Sequence, residues 1–463
     1  MTYHLTPRIP LAGIAQLAEI ERRSRWSAAR MLAHKQRKLG ELLKSAWASS
    51  AFYRAHLGAH GVREGDLREL SLRDLPITSK CLLADHFDDV VTVPGLTRSV
   101  LEQWLEANTD PESVYDERLV IVRSSGSAGA PGIFVYDREA WDLVHRIASV
   151  RLPRLPDGRG ARYAFYNLPD GRHVGITHAR KVASTADHAL FLSVLGPLDE
   201  AVSSLNDLQP DVLIGYANAV HLLAAEARSG RLRIRPSIVL TSAEPLTNDM
   251  ERDLVDVWPA VVSRVYSCTE SVFVAGQRAG EPWMTVLDDA CCLEVVDDEG
   301  NEVAPGESGR ALLTNLYNRA MPIVRYDLQD VVTRGDPALS APFTCIAAIS
   351  GPDKTPLPVL CDDGSVDALR ALLLGTVAPT GSKGVQFISE RPGRVLVRYV
   401  GEPGLEEAIL AEMRRFLTAK RALATTVRVR RVERLARSRL TGKTPFVVTD
   451  PRHLLDAGDD MAQ

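Results

Sequence analysis

Hydrophobic residues near the start of the chain recur every three or four positions among Arg, Lys and Glu, from Leu11 to about Trp47. This spacing predicts amphipathic helices. From Arg118 onward, short apolar runs alternate with helical stretches, which is typical of an α/β region. The predicted strands are residues 119–123, 212–214, 238–241 and 261–266, and the predicted helices between them are residues 219–228 and 248–257.

The pattern changes after Ala290, where residues 293–296 and 310–316 flank a turn-rich stretch and predict a hairpin. The breaker-rich segment Gly351-Pro352-Asp353-Lys354-Thr355-Pro356-Leu357-Pro358 is the best linker candidate. Beyond it, residues 395–399 and 426–431 alternate as strands do, and residues 405–417 form an amphipathic helical pattern. The sequence therefore predicts two domains, residues 1–350 and 351–463.

Composition narrows the class of protein. The 463 residues are 45% hydrophobic and 25% charged, with a formal net charge of -4. The chain lacks the clustered basic excess of a nucleic-acid-binding protein. Its start shows no secretory signal, and no window approaches the roughly 18–20 apolar residues of a membrane helix, so we expect a cytoplasmic location and no membrane partner. The 6 cysteines include no C-x-x-C pair, so their spacing supports neither a zinc site nor a disulfide framework.

The most distinctive segment is Arg123-Ser124-Ser125-Gly126-Ser127-Ala128-Gly129-Ala130-Pro131-Gly132, which lies between two apolar runs. A loop of small residues brings backbone N–H groups and hydroxyls close to phosphate oxygens. A flexible hairpin loop explains the segment equally well when it is taken alone. It is not a Walker A loop, and Gly442-Lys443-Thr444 is not the end of one, because Arg437 stands where the first glycine is required.

Two further segments carry carboxylates. Tyr266-Ser267-Cys268-Thr269-Glu270 follows a predicted strand, and a carboxylate beside a hydroxyl can hold Mg²⁺ against phosphate oxygens. Arg325-Tyr326-Asp327-Leu328-Gln329-Asp330 has two carboxylates that could contact ribose hydroxyls or a cation. In isolation, a solvated strand end and a surface turn explain these segments as well or better.

Taken in order, the segments resemble the adenylate-forming enzymes, and within them the phenylacetate–coenzyme A (CoA) ligase branch. The resemblance covers nearly the whole chain. It is carried by the Ser/Gly loop and the segments already quoted, together with these further ones: Phe52-Tyr53-Arg54, Leu75-Pro76-Ile77-Thr78-Ser79-Lys80, Gly215-Tyr216-Ala217-Asn218, Ser242-Ala243-Glu244-Pro245, Ala320-Met321-Pro322-Ile323-Val324-Arg325-Tyr326 and Gly442-Lys443.

The resemblance implies an α/β fold with a large N-terminal adenylate-forming domain of mixed sheets and flanking helices, and a small mobile α+β C-terminal domain. It implies activation of a carboxylic acid by ATP, with Thr269 on the α-phosphate, Glu270 on Mg²⁺, Asp330 on the ribose and Lys443 completing the catalytic set. The positions that it assigns to ATP are Ser124, Ser125, Gly126, Ser127, Gly129, Ala243, Glu244, Pro245, Tyr266, Ser267, Cys268 and Asp330.

For the acid pocket, the resemblance points to Tyr136, Tyr166, Gly215, Tyr216, Ala217 and Ser242. The tyrosines favour an aryl or arylalkyl acid, although ordinary core packing explains them as well. The acceptor of the acyl group would be CoA, a carrier-protein thiol or an amine, and the family also allows a homodimer.

The chain departs from the family at several positions. Ala128 and Ala130 replace Thr and Lys of the loop, Leu328-Gln329 replaces Thr-Gly before Asp330, and Gly351-Pro352 replaces Gly-Arg at the hinge. Prolines fix φ, so the linker should be stiff, which suggested that the second half-reaction uses a carrier protein or an amine. Gln277 and Met284 stand where a Cys and a His of a metal cluster would be expected, so we expect no structural zinc.

Two other interpretations remain open at this point. One is a degenerate member that binds nucleotide or acyl-adenylate without turnover. The other is an unrelated α/β phosphate-binding protein with fortuitous motifs. The presence of Glu270, Asp330 and Lys443 together favours an active enzyme, and the ordered set of segments argues against coincidence.

Overall fold

The computed structural model describes residues 11–455 apart from 125–131, 156–160, 168–171, 185, 187, 353–354, 356, 370–373, 375–376, 378, 380–381 and 440–443. The first described elements are helices. They are α1 Leu11–Arg23, α2 Ala28–Ser49, α3 Ala51–Ala59, α4 Lys80–Asp85, α5 Phe87–Val90 and α6 Arg98–Ala107. The predicted helical stretch is thus two helices, because Ser27 caps the start of α2 by accepting a hydrogen bond from the Arg30 backbone N–H.

A mixed sheet of 11 strands forms the centre of the structure, in the order β10-β11-β12-β13-β9-β8-β7-β6-β5-β3-β4. Neighbouring strands are parallel in the part of the sheet formed by β4, β3, β5, β6 and β7. The other neighbouring strands of the sheet are antiparallel. The strands are β3 Arg162–Asn167, β4 His188–Ser193, β5 Val212–Tyr216, β6 Ile238–Ser242, β7 Val261–Tyr266, β8 Ala275–Gln277, β9 Met284–Val286, β10 Cys291–Val296, β11 Ser308–Asn315, β12 Tyr326–Arg334 and β13 Cys345–Pro352. The mixed α/β class and the hairpin after Ala290 are as predicted.

Helices flank this sheet, as expected when parallel strands are joined by crossovers. They are α7 Arg138–Arg151, α8 Val174–Ala183, α9 Leu198–Leu208, α10 Ala217–Arg228 and α11 Asn248–Val257. Residues from α9, α10 and α11 pack on one face of the parallel strands and enclose a core that includes Leu205, Leu223 and Leu254. Among the described residues, no helix combines the length and hydrophobicity needed to cross a membrane.

A separate antiparallel hairpin, β1 Leu119–Arg123 and β2 Ile133–Asp137, flanks the Ser/Gly loop. The hairpin closes where the backbone N–H of Ser124 donates to the Gly132 carbonyl at 2.9 Å. In return, the Gly132 N–H donates to the Ser124 hydroxyl at 2.8 Å. The prediction of a loop between two strands is therefore correct at both ends of the segment.

The C-terminal part has its own sheet, in the order β18-β17-β16-β20, and its own apolar core, which includes Phe387, Val397 and Met413. Its elements are β14 Leu357–Leu360, β15 Val366–Leu369, β16 Ser382–Arg391, β17 Arg394–Gly401, α12 Glu406–Ala419, β18 Thr426–Arg431, β19 Arg437–Ser438, β20 Val447–Val448 and β21 Leu454–Leu455. One prediction needs correction: Gly351 and Pro352 do not begin a linker, since both belong to β13 and pair with Val331 and Asp330.

Candidate active site

The site is built where parallel strands end. Tyr216 at the end of β5 pairs with Ser242 at the end of β6, and Ser242 in turn pairs with Val265 of β7. The carboxyl ends of β5, β6 and β7 therefore meet at one edge of the sheet. Ligands of open α/β sheets bind at such edges. The topology thus brings together three segments that were selected independently from the sequence.

The loop after β7 is fixed by its carbonyl groups. The hydroxyl of Tyr136 donates to the Thr269 carbonyl at 2.5 Å, the amide of Asn315 donates to the Glu270 carbonyl at 3.0 Å, and the hydroxyl of Tyr317 donates to the Ser271 carbonyl at 2.6 Å. These donors come from β2 and from the end of β11. Because three consecutive carbonyls are held, the backbone that carries Thr269 and Glu270 is preorganised.

Two phenols hold the two carboxylates of the predicted site. The hydroxyl of Tyr266 donates to Asp330 Oδ2 at 2.7 Å, and Tyr326 is hydrogen-bonded to Glu270. Burial, reinforced by the facing carboxylates, raises the pKa of Tyr266 and of Tyr326 well above the ordinary value. Both phenols therefore stay protonated and remain donors. The predicted adenine, ribose and magnesium residues are thus neighbours in space.

Two N-terminal segments quoted above, Phe52-Tyr53-Arg54 and Leu75 to Lys80, support the chain that leads into β12. The Tyr53 hydroxyl donates to the Pro322 carbonyl at 2.9 Å and accepts from the Val324 N–H at 3.2 Å. The Thr78 hydroxyl donates to the Val324 carbonyl at 2.8 Å, and Thr78 forms a β-bridge with Tyr326. Both segments therefore position β12, the strand that carries Tyr326 and Asp330. Neither Tyr53 nor Thr78 lines the cavity described below.

Within the segment from Arg325 to Asp330, some side chains stabilise the fold and one carboxylate meets the predicted nucleotide residues. The buried Arg325 guanidinium pairs with Glu294 at 3.2 Å, and Asp327 accepts hydrogen bonds from Arg310 at 3.0 Å and from the Gln329 N–H at 2.8 Å. Asp330 is thus the carboxylate of this segment that meets Tyr266. Gln329 has a φ of 57°, a conformation that glycine adopts more easily, so the glutamine is strained at this position.

Glu244 links the strand ends to the C-terminal part of the chain. One of its oxygens accepts from the Asn218 N–H at 3.0 Å and from the Asn218 side-chain amide at 3.1 Å. The other accepts from the backbone N–H of Thr444. Ala243, just before it, has a φ of 65°, so the chain turns sharply there. The residue that follows Lys443 therefore lies at the edge of the site, although Lys443 itself lies outside the described residues. Ser125, Gly126, Ser127 and Gly129 also lie outside them.

A cavity of about 150 Å³ opens beside these strand ends. Six residues that the sequence assigned to ATP or the acid lie on its wall: Tyr216, Ser242, Ala243, Ser267, Cys268 and Thr269. Burial, and secondarily Glu270, raises the pKa of the Cys268 thiol well above its usual range, so Cys268 is not a thiolate nucleophile.

Four residues predicted for the acid pocket do not line this cavity. Tyr166 and Gly215 point to the opposite face of the sheet from their neighbours Phe165, Ile214 and Tyr216, because side chains alternate along a strand. A Cβ on Gly215 would lie 2.7 Å from the Tyr166 carbonyl oxygen, so this glycine serves packing. Of the remaining two, Ala217 is a core residue of α10. Tyr136 donates its hydroxyl hydrogen bond to the Thr269 carbonyl.

Several residues of the cavity wall were not selected from the sequence. Arg123 contributes a cation directly before the Ser/Gly loop, and its place in that segment was the only sequence signal for it. Phe273 and His178 belong to no quoted motif. His178 contacts His145 at 3.0 Å and meets the Phe273 ring edge-on at 4.7 Å. This side of the cavity is thus formed mainly by α8 and the chain after the Thr269 loop.

Within the described parts of the chain, no group of three or more His, Cys, Asp or Glu side chains has the arrangement of a metal site. Mg²⁺ needs no such group, since it is commonly held by one or two carboxylates together with substrate phosphates. Glu270 beside the Thr269 hydroxyl fits that requirement, so a nucleotide-bound Mg²⁺ is compatible with the donor set.

Comparisons with known proteins agree with this geometry. No family model matches the chain. The phenylacetate-coenzyme A ligase of Escherichia coli (strain K12) is 25% identical over 330 residues, which cover 67% of this chain and 68% of that protein. The enzyme of the same name from Pseudomonas putida is 24% identical over 332 residues, which cover 69% and 70%.

Solved structures show the same fold. The structure of 2-hydroxyisobutyryl-CoA ligase in the postadenylation state, in complex with 2-HIB-AMP, superposes with a TM-score of 0.62 at 18% identity and covers 90% of this chain and 89% of its own. The thioesterification state of that ligase, in complex with 2-HIB-AMP and CoA, gives a TM-score of 0.59. At this identity the likeness defines the fold.

Proposed function

Because the chain is a member of the adenylate-forming superfamily in its phenylacetate–CoA ligase-like branch, we propose that it is an acid–thiol ligase. It activates a carboxylic acid with ATP as an acyl-adenylate and transfers the acyl group to CoA. The observation that carries the proposal is the pairing of Tyr266 with Asp330 beside the Thr269–Glu270 loop, next to a cavity. A nucleotide site and an acyl site then share the wall formed by Ala243 and Thr269.

In the first half-reaction, a carboxylate oxygen of the acid attacks the α-phosphorus of ATP, and the bond to the β-phosphate breaks to release pyrophosphate. Two anions must approach each other, so positive groups and N–H donors are required around them. We assign Asp330 to the ribose, Thr269 to the α-phosphate and Lys443 to the oxygens between acid and phosphate. Mg²⁺, held by Glu270 and the phosphates, would supply charge neutralisation. Arg123, on the cavity wall, adds a cation near the acid.

In the second half-reaction, the thiol sulfur attacks the acyl carbon, the thiol proton is released, and AMP leaves. We propose that the chain after β13 acts as a small mobile domain that brings Lys443 to the site for the first step and withdraws it for the second. Among the described residues, polar contacts join it to the larger part, and such contacts can exchange during a domain movement: Lys383 with Asp253 at 2.6 Å, Arg437 with the Val194 carbonyl, and Thr444 with Glu244.

The size of the cavity supports a small aryl acid. A cavity of about 150 Å³ accommodates a benzene ring. Its walls include Phe165, Ile176, Leu240 and Phe273, which suit an apolar ring or short chain. We therefore propose a single-ring aryl or arylalkyl acid as the substrate class.

The decisive experiment is carboxylate-dependent ATP–pyrophosphate exchange with a panel of aryl and alkyl acids, followed by addition of CoA, a carrier protein or an amine. Exchange with at least one acid and thioester formation with CoA are the expected results. Exchange without CoA turnover, but with turnover of a carrier protein or an amine, would support the alternative acceptors. ATP binding without exchange for any acid would favour the degenerate member instead. Sedimentation would test the predicted homodimer.

A further inference from the structure

Two histidines that have no part in the proposed nucleotide chemistry stand together at the acid cavity. His145 lies on α7, and its Nδ1 is 2.7 Å from the Trp141 carbonyl oxygen. Its Nε2 is 3.0 Å from Nδ1 of His178, which lies on α8 and lines the cavity. A chain of hydrogen bonds thus runs from the backbone of α7 to the cavity wall.

The chemistry of the partners fixes the protons in this chain. A carbonyl oxygen only accepts, so Nδ1 of His145 must carry the proton that it donates to Trp141. In a neutral imidazole the other nitrogen is then an acceptor. Nε2 of His145 therefore accepts from His178, whose Nδ1 must be protonated. It follows that Nε2 of a neutral His178 has a free lone pair and no proton.

Both rings are neutral at physiological pH. Burial lowers the pKa of His145 to about 4, and the nearby Lys181 acts in the same direction. Burial, together with His145, lowers the pKa of His178 well below its ordinary value. The carboxylate of Asp142 is itself paired with Lys181 at 2.7 Å, so it does not favour an imidazolium there.

The surroundings leave Nε2 of His178 available to a ligand. Within the described residues, His178 makes no other hydrogen bond, and its ring is held edge-on against Phe273 at 4.7 Å. The neighbouring cavity wall is apolar, with Ile176, Ala179 and Phe273. An acceptor in such surroundings loses free energy when a ligand displaces its water without replacing the hydrogen bond.

We infer that the acid bears a hydrogen-bond donor, a hydroxyl or an amino group on its ring or chain, which donates to Nε2 of His178. This inference rests on the proposed function and names the substrate class within it. A bare aryl acid fills the same space but leaves the acceptor unpaired. Sites that hydrogen-bond a substrate hydroxyl discriminate strongly against the analogue that lacks it.

Matched acids test the inference. Hydroxy-, amino-, methoxy- and unsubstituted benzoates and phenylacetates, substituted at each ring position, are compared by kcat/KM in ATP–pyrophosphate exchange. We expect a hydroxy or amino acid to exceed its methoxy and unsubstituted counterparts by about 10- to 100-fold. Equal use of donor-bearing and donor-free acids at every ring position would overturn the inference and leave the proposed function standing. Absence of exchange with every acid would remove the proposed function, and the inference with it.

Variants show whether His178 is responsible. His178→Phe should reduce the preference for the donor-bearing acid to less than about threefold, and His178→Gln, whose side chain offers an acceptor, should restore part of it. His56→Phe, which changes a histidine remote from the cavity wall, is the matched control and should leave the ratio unchanged. A preference that survives in His178→Phe would contradict the assignment.

The proton arrangement has its own readout that does not depend on activity. In protein labelled with ¹⁵N at histidine, the spectrum should show His178 as the neutral tautomer protonated at Nδ1 at neutral pH. Addition of the preferred acid with ATP should shift the Nε2 resonance. A His178 protonated at Nε2, or an imidazolium at neutral pH, would refute the inference whatever the enzymatic results.

Discussion

Removal of one hydroxyl group tests the nucleotide end of the site most directly. Tyr266→Phe deletes the group that donates to Asp330 at 2.7 Å and keeps the ring that we place beside the adenine. Tyr266 is buried, and the substitution adds no atoms, so the fold should be retained. What changes is the orientation of the Asp330 carboxylate, which is the predicted contact of the ribose.

The size of the effect follows from the kind of hydrogen bond. Hydrogen bonds to a charged group contribute about 1.5–3 kcal/mol. Asp330 is half-buried, so water can replace part of the lost bond, and the lower end of that range applies. At about 1.4 kcal/mol for each factor of ten, the KM for ATP should rise about tenfold, while kcat falls less.

The assay is ATP–pyrophosphate exchange at saturating acid, with ATP and free Mg²⁺ varied independently. Tyr326→Phe is the matched control, because it removes the same hydroxyl from the neighbouring phenol, which is bonded to Glu270. That variant should raise the Mg²⁺ concentration for half-maximal rate and leave the KM for ATP at saturating Mg²⁺ within about twofold. If neither Tyr266→Phe nor Asp330→Asn changes the KM for ATP, the assignment of Asp330 to the nucleotide is wrong.

Three other changes test separate parts of the structure. Lys443→Ala should abolish acid-dependent exchange with an unchanged circular dichroism spectrum, and persistent exchange would show that another residue has its role. Arg325→Met leaves Glu294 buried without its partner and should lower the free energy of unfolding in urea by about 3–5 kcal/mol, whereas a change below about 1 kcal/mol would contradict a structural role. Burial opposes ionisation of Asp253, but hydrogen bonds from Lys383 and His221 outweigh it and hold its pKa at about 2. Its contribution to stability is therefore complete above about pH 4 and lost as the pH falls towards 2, and Lys383→Met should move that loss to higher pH in acid unfolding followed by fluorescence.

The ends of the parallel strands were accessible to sequence reasoning. Each strand is an apolar run followed by small or polar residues, and a parallel sheet brings such ends to one edge. Ser242 and Thr269 therefore lie together on the cavity wall, whereas Asp330 lies on the antiparallel strand β12 and meets Tyr266. Local sequence patterns provide no account of the phenols that hold these residues. That account needs contacts between positions 64 residues apart, such as Tyr266 with Asp330.

The walls of the acid cavity were predicted less well. Selecting Tyr166 and Gly215 required knowledge of which strand face meets the cavity, and a shift of one residue exchanges the two faces. The residues on the other face, Phe165 and Ile214, are as apolar as those in the core, so composition does not separate them. His178 was missed for a different reason, since its partner His145 is 33 residues away on another helix and no local pattern links them.

The contacts divide the site into a fixed end and a variable end. At the nucleotide end, the carbonyls of Thr269, Glu270 and Ser271 are each held by a side chain from a distant segment, so a change there disturbs several strands at once. At the acyl end, the wall comes from α8 and Phe273, whose side chains contact one another and the ligand space. Substitutions on α8 can therefore change the preferred acid without moving the backbone that binds ATP. The His145–His178 pair is a polar element of that wall in this chain.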